Sequence, residues 1–273
     1  MKNHKAVTAI AALGVLSILG VLSVREARAQ QVFQGAGPTA ASIQGVVDAY
    51  RAALGEPNNG SGPAAAAGRR EINWDGGGST NTTAPVTPFT VFVTAPVDRG
   101  GLFTTPGTGL SQAPPSGGTQ GGLATLFDNP TYATIFQPFS APRLFTPVGS
   151  RITDGFFFVP GTAAGTPAVV TGFGAVFADV DKPNGTKGGG HSTTIDYFDV
   201  NGKLLFSGGV PSSPGDASLS FFGIVFDDPV IASVRIRTGD VRPGADDGPQ
   251  DIVMMDDFLY GEPQPIGGPP PTN

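Results

Sequence analysis

Cysteine is missing from this 273-residue chain, and histidine occurs only at His4 and His191. Without cysteine there is no disulfide framework, zinc ribbon, thiol nucleophile or iron–sulfur site. Charged residues make up only 14% of the chain, far from the Ala/Glu/Lys/Leu-rich composition of helical bundles and coiled coils. Long apolar runs are also scarce, with one at the N-terminus and none elsewhere. What is abundant is glycine (41), proline (26) and phenylalanine (19), with hydrophobic residues at 39%. Glycine and proline supply turns and the apolar residues fill a sizeable core, so the composition favours many short strands.

The N-terminus reads as a secretory leader. Lys2 and Lys5 precede the apolar run Ala6 to Val24, and Ala27-Arg28-Ala29 supplies a small-x-small cleavage site. The same run is long enough to serve as an uncleaved anchor. Cleavage after Ala29 removes four of 16 basic and one of 22 acidic side chains, shifting the net charge from −6 to −9. It also leaves His191 as the only histidine, in the glycine loop GGGHS, where a solvated role is expected. An acidic exported chain disfavours nucleic acid and anionic membranes as partners. The expected location is secreted, periplasmic or cell-surface.

One helix is expected, over Ala40 to Gly55, because Ile43, Val47, Tyr50 and Leu54 recur on one face, with Gly55 and Pro57 as stop signals. Its role is to cover a sheet or to bind a partner. PNNGSGPAAAAG (Pro57 to Gly68) reads as a flexible linker and Thr105 to Gly122 as a mobile surface loop. The alternation in PFTVFVT (Pro88 to Thr94) predicts a strand. From Arg143 onward, apolar segments follow at close spacing with turn residues between them, and Asp199-Val200-Asn201-Gly202 marks a hairpin. LSFFGIVF carries large apolar residues on both parities, as a strand covered on both faces does. ASVRIRT alternates, as a half-exposed strand does. The fold class is all-β, an antiparallel β-sandwich of jelly-roll type with one N-terminal helix. The expected division is a leader (1–29), helix and linker (30–68), sandwich (69–263) and Pro-rich tail (264–273).

GRREINWDG (Gly68 to Gly76), GFGAVFADVD (Gly172 to Asp181) and VMMDDFLYGEP (Val253 to Pro263) occur in this order. Together they resemble an uncharacterised family of secreted, mainly bacterial proteins. The likeness runs from the helix to Pro263 and implies fold and export, with no activity attached. The C-terminal half is more loosely similar to jelly-roll modules of extracellular carbohydrate-binding and adhesion proteins, many of which hold a structural calcium.

Acidic residues concentrate late in the chain, with 13 Asp against 6 Lys and Arg between Asp179 and Asp257. On a strand end, Asp179 and Asp181 would share a face about 6–7 Å apart. With Asn184 and loop carbonyls they form an oxygen-only set suited to calcium. The alternatives are solvated acids or pairing with Arg235 or Arg237. Asp256 and Asp257 interrupt an apolar strand, where alternation sends one to each face. Met254, Phe258 and Tyr260 would then accompany Asp256, with Val253, Met255 and Leu259 beside Asp257. Glu71, Asn73 and Asp75 alternate on the first strand, so acids could face acids across a cation. An ion-pair network with Arg69 and Arg70 satisfies the same carboxylates. Trp74 is assigned to packing ahead of sugar stacking.

No Gly-x-Ser-x-Gly elbow, second exported histidine or phosphate loop is present. The expectation is therefore a non-enzymatic secreted module that binds or decorates extracellular material, such as polysaccharide or cell-surface matter, stabilised by calcium. The alternatives are a carboxylate-based glycoside hydrolase or polysaccharide lyase, and a structural surface or matrix protein.

Overall fold

The computed structural model of the protein describes residues 30–182, 192–245 and 248–268. In chain order the elements are β1 (Gln30–Gly37), α1 (Ala40–Leu54), β2 (Arg69–Ile72), β3 (Gly101–Thr104), β4 (Gly109–Ala113), α2 (Gly122–Leu126), α3 (Tyr132–Ile135), β5 (Leu144–Val148) and β6 (Ile152–Phe157). They continue as β7 (Ala168–Val169), β8 (Gly172–Ala178), β9 (Thr194–Phe198), β10 (Leu204–Gly209), β11 (Leu219–Phe226), β12 (Ser233–Arg237), β13 (Met254–Gly261) and β14 (Gln264–Pro265).

A seven-stranded sheet runs β1-β11-β8-β13-β5-β4, with β2 also paired to β13, and a five-stranded sheet runs β10-β9-β12-β6-β3. All of these pairings are antiparallel. Within them β5 lies beside β13, β6 beside β12, β8 beside β11 and β9 beside β10. These nested pairs, split between two sheets, are the winding of a jelly roll. β1, β3 and β4 extend its edges, β2 pairs with β13, and β7 and β14 form a separate two-stranded sheet.

Two apolar layers follow from strand parity. Phe173, Ala175 and Phe177 of β8, with Phe222, Ile224 and Phe226 of β11, join the core between the sheets. Val176 and Ala178, with Leu219, Phe221 and Val225, face outward into a second cluster with Ile43, Val47, Tyr50 and Leu54 of α1 and with Leu123 and Tyr132. Both faces of the central strands are thus covered, which explains their unbroken apolar sequences.

Tyr50 fixes how closely the helix approaches. Gly174 and Gly223 are Cα partners across β8 and β11. A Cβ on either would lie 2.8 Å from a Tyr50 ring carbon. The Tyr50 ring packs against Phe33 and Phe221, and its hydroxyl donates to the Ile224 carbonyl at 3.1 Å.

Several local expectations fail for physical reasons. Val91–Val93 forms a 3-10 turn in place of a strand, because Phe89 and Phe92 pack edge-on against Trp74. Tertiary packing overrides the local alternation. The expected mobile loop contains β4, paired with β5 and buried along its length. The expected linker wraps a fully buried ion pair. Arg70 donates twice to Glu262, at 2.6 Å each, and also to the carbonyls of Gly60, Gly62 and Pro63 at 2.7–2.9 Å. Asn59 and the Ala65 amide complete the Glu262 shell. The expected tail begins with β14, which pairs with β7.

Gly174→Ala should therefore lose about 1–3 kcal/mol by overpacking. Combining it with Tyr50→Ala should cost less than the two single changes together. Equilibrium urea unfolding of the three variants measures both effects. Full additivity would contradict the contact.

Candidate functional site

The first acidic group is built by a bulge. Along β13 and β8, Met255 pairs with Phe177 and Phe258 with Ala175, so β13 carries one extra residue. Met255, Phe258 and Tyr260 consequently share the inter-sheet core, while Met254 and Leu259 share the helix-side cluster. This corrects the simple alternation expected from sequence. Asp256 and Asp257 do not part to opposite faces but converge on Ser140.

Asp256 Oδ2 accepts from the amides of Phe139 (2.6 Å) and Ser140 (3.2 Å), and Oδ1 accepts from the Asp257 amide (2.9 Å). The Ser140 hydroxyl donates to Asp257 Oδ1, and Arg51 stands 3.7 Å from Asp257 Oδ2. Burial first, and the Asp257 charge second, push the Asp256 carboxyl well above the usual carboxylate range. Asp257 is raised less, because Ser140, Asp256 and Arg51 oppose its burial.

Glu71 lies between two guanidinium groups. It accepts from Arg51 at 3.0 and 3.2 Å and from Arg69 at 2.7 Å. Arg69 also reaches Glu56. The strand ends at Ile72, and Trp74 turns into the left-handed region with φ 63°. Asn73 and Asp75 therefore do not continue the Glu71 row, as the sequence had suggested. Asp75 instead caps the Arg143 amide at 2.9 Å. Trp74 is buried, stacks on Phe145 with ring centroids 3.6 Å apart, and donates to the Asp256 carbonyl at 3.1 Å.

The second acidic group lies where β8 ends. Ala178 is the last strand residue, and Asp179 adopts φ 68°, so the shared strand face expected for Asp179 and Asp181 does not form. The Asp179 amide donates to the Ser218 carbonyl at 2.9 Å. The Asp179 side chain is 5% exposed, and its Oδ1 has no hydrogen-bond partner. The buried hydroxyls of Ser218 and Ser220 are likewise unpartnered.

Burial, then the charges of Asp181, Asp216 and Asp251, push the Asp179 carboxyl up to about 8, against the Ala217 amide. Asp251 is raised too, by burial first. The Ser192 hydroxyl (2.6 Å) and the Asp181 amide (3.2 Å) oppose that shift, and the charges of Asp181 and Asp240 add to it. Asp181 accepts from the Gly215 amide at 3.0 Å. Arg235 and Arg237 are engaged elsewhere, with Asp154 and Asp196. Among the described residues, no three histidine, cysteine or acidic side chains stand at metal-ligand spacing as placed. Asn184 and His191 lie outside the described residues. Asp199 caps its hairpin, accepting from the amides of Asn201 and Lys203.

A third feature was not visible in the sequence. The outer face of the five-stranded sheet carries cross-strand rows in which no residue is buried. One row is Leu102–Phe156–Ser233–Phe198–Leu204 and the next is Thr104–Asp154–Arg235–Asp196–Ser207. Arg235 holds Asp154 with two bonds of 2.7 and 2.9 Å. Arg237 and Ser207 both reach Asp196. Single-strand alternation hinted at this in SVRIR, but the rows depend on strand order.

Comparison with protein-family models, curated proteins and solved structures found no match to this chain.

Asp179 generates a pH prediction. Its carboxyl is raised from 3.8 to about 8, so the fold favours its neutral form. The associated stability is full below the unfolded value and is lost as pH rises through the folded one. Asp179→Asn cannot ionise. In chelator, its stability relative to wild type should grow from about pH 4 to about pH 8 and then level off. Urea midpoints across a pH series measure this. A gap that narrows with rising pH would contradict the assignment.

Proposed function

We propose that this protein is a secreted, non-enzymatic β-sandwich module that binds polysaccharide in extracellular material through the outer face of its five-stranded sheet. The observation that carries this reading is the asymmetry of the two sheets. The larger sheet buries its outer face under α1 and the α2–α3 region. The smaller sheet leaves its outer face part-exposed, with an apolar row beside a row of paired charges.

A sugar ring presents an apolar C–H face and a rim of hydroxyls. Rows two residues apart along a strand lie about 7 Å from each other, a separation that suits one ring. Phe156, at 38% exposure, supplies apolar contact. The Asp154–Arg235 and Asp196–Arg237 pairs supply donors and acceptors already held in place. Because these charges are paired, a neutral ligand leaves none of them uncompensated.

A non-catalytic role is supported by the placement of the carboxylates. Asp256 and Asp257 are buried beneath Ser140. Two open clefts, each about 250 Å³, lie elsewhere, and each is lined by a single carboxylate, Asp98 in one and Asp199 in the other. Export rests on the leader sequence. No helix among the described residues is long and apolar enough to cross a membrane.

Affinity electrophoresis in soluble polysaccharides, with pull-down on insoluble cellulose, chitin and peptidoglycan, tests the reading. Retention of the wild-type chain should weaken about tenfold or more in Arg235→Ala and Phe156→Ala, with unchanged melting temperatures. A wild-type chain retained by none of these polymers overturns the polysaccharide assignment. Turnover of any of them overturns the non-enzymatic one.

A further inference from the structure

The protein treats its interior carboxylates in two ways. Glu71, Asp257 and Glu262 each stand beside an arginine. Asp256, which has none, accepts backbone amides. The Asp179 end is different. None of Asp179, Asp181 and Asp251 makes an ion pair with a described residue; Asp181 and Asp251 accept backbone amides, and Asp251 also the Ser192 hydroxyl, while Asp179 Oδ1 accepts nothing. Among the described residues, the adjacent lysine, Lys182, donates instead to the Pro249 carbonyl. Burying carboxylates without a partner is costly, and interior charges are paired or bound to metal.

Asp179 is 5% exposed, so its bare Oδ1 cannot be satisfied by bulk solvent. Beside it, Ser218 presents a second buried oxygen without a partner. We propose that this end of the sandwich is a calcium-binding site, in which Asp179, Asp181 and Asp251 supply carboxylate oxygens and Ser218 a hydroxyl oxygen.

The donor set selects the ion. Every available atom is a hard oxygen, with no thiol or imidazole among the described residues. The groups come from three connections, after β8, before β11 and before β13, and calcium accepts such irregular shells more readily than magnesium does. Because no three acids are yet at ligand spacing, binding must draw these connections together. Glu71 and Asp257 fall outside the site because each stands beside an arginine, and Asp256 because backbone amides hold both its oxygens. This inference stands on the unpaired carboxylates and is independent of the polysaccharide reading.

The test uses the full exported chain, stripped with chelator, in calorimetric titration with calcium chloride and in thermal melts with calcium or EDTA. One calcium per chain should bind, and the melting temperature should rise with calcium concentration. Asp179→Asn and Asp181→Asn should each weaken calcium about tenfold or more. Asp227→Asn, on an exposed connection, should bind as wild type. Asp181 is part-exposed, so its variant keeps the test decisive if Asp179→Asn misfolds. A wild-type chain with neither heat nor a melting shift in millimolar calcium overturns the proposal. So does calcium affinity undiminished in Asp179→Asn or Asp181→Asn. A metal-free Asp179→Asn that outlasts a calcium-insensitive wild type would show that Asp179 simply carries a proton.

Discussion

Carboxylates placed inside a β-sandwich must be neutralised, and the architecture is organised around that constraint. Arg70 and Glu262 meet with essentially no solvent exposure, and the chain from Asn59 to Ala65 wraps them because Arg70 has donors to spare for its carbonyls. Breaking such a pair leaves a lone interior charge and costs about 3–5 kcal/mol. Arg51 works similarly from α1, holding Glu71 of β2 and facing Asp257 of β13. The helix is thereby tied to the sheet by charge as well as by Tyr50.

The bulge in β13 belongs to the same logic. Two adjacent aspartates in a strand covered on both faces would put one charge into each apolar layer. One extra residue places both on the helix side, where Phe139, Ser140 and Arg51 can meet them. Trp74 seals the arrangement by donating to the Asp256 carbonyl and stacking on Phe145.

Periodic features were legible in the sequence. The buried face of α1 is Ile43, Val47, Tyr50 and Leu54, and SVRIR alternates as a half-exposed strand does. The jelly-roll class was also legible, because turn residues separate apolar segments too short for helices. Features created by tertiary contact were hidden. Composition made Thr105–Gly122 look mobile, although Leu110 and Ala113 are core residues. Asp216 and Asp251 joined Asp179 only through strand order, because residues far apart in sequence meet where three connections converge. No local periodicity could announce the left-handed backbone at Asp179 or the extra residue in β13.

The position of β13 has a consequence for biogenesis. It is the last long strand of the chain, yet it sits between β8 and β5 in the middle of the larger sheet. A chain synthesised from its N-terminus therefore lacks the strand that joins the two halves until residues 254–261 are available. Strand pairing that spans such sequence distance is slow to form. The winding order thus delays completion of the native state until β13 pairs with both of its neighbours.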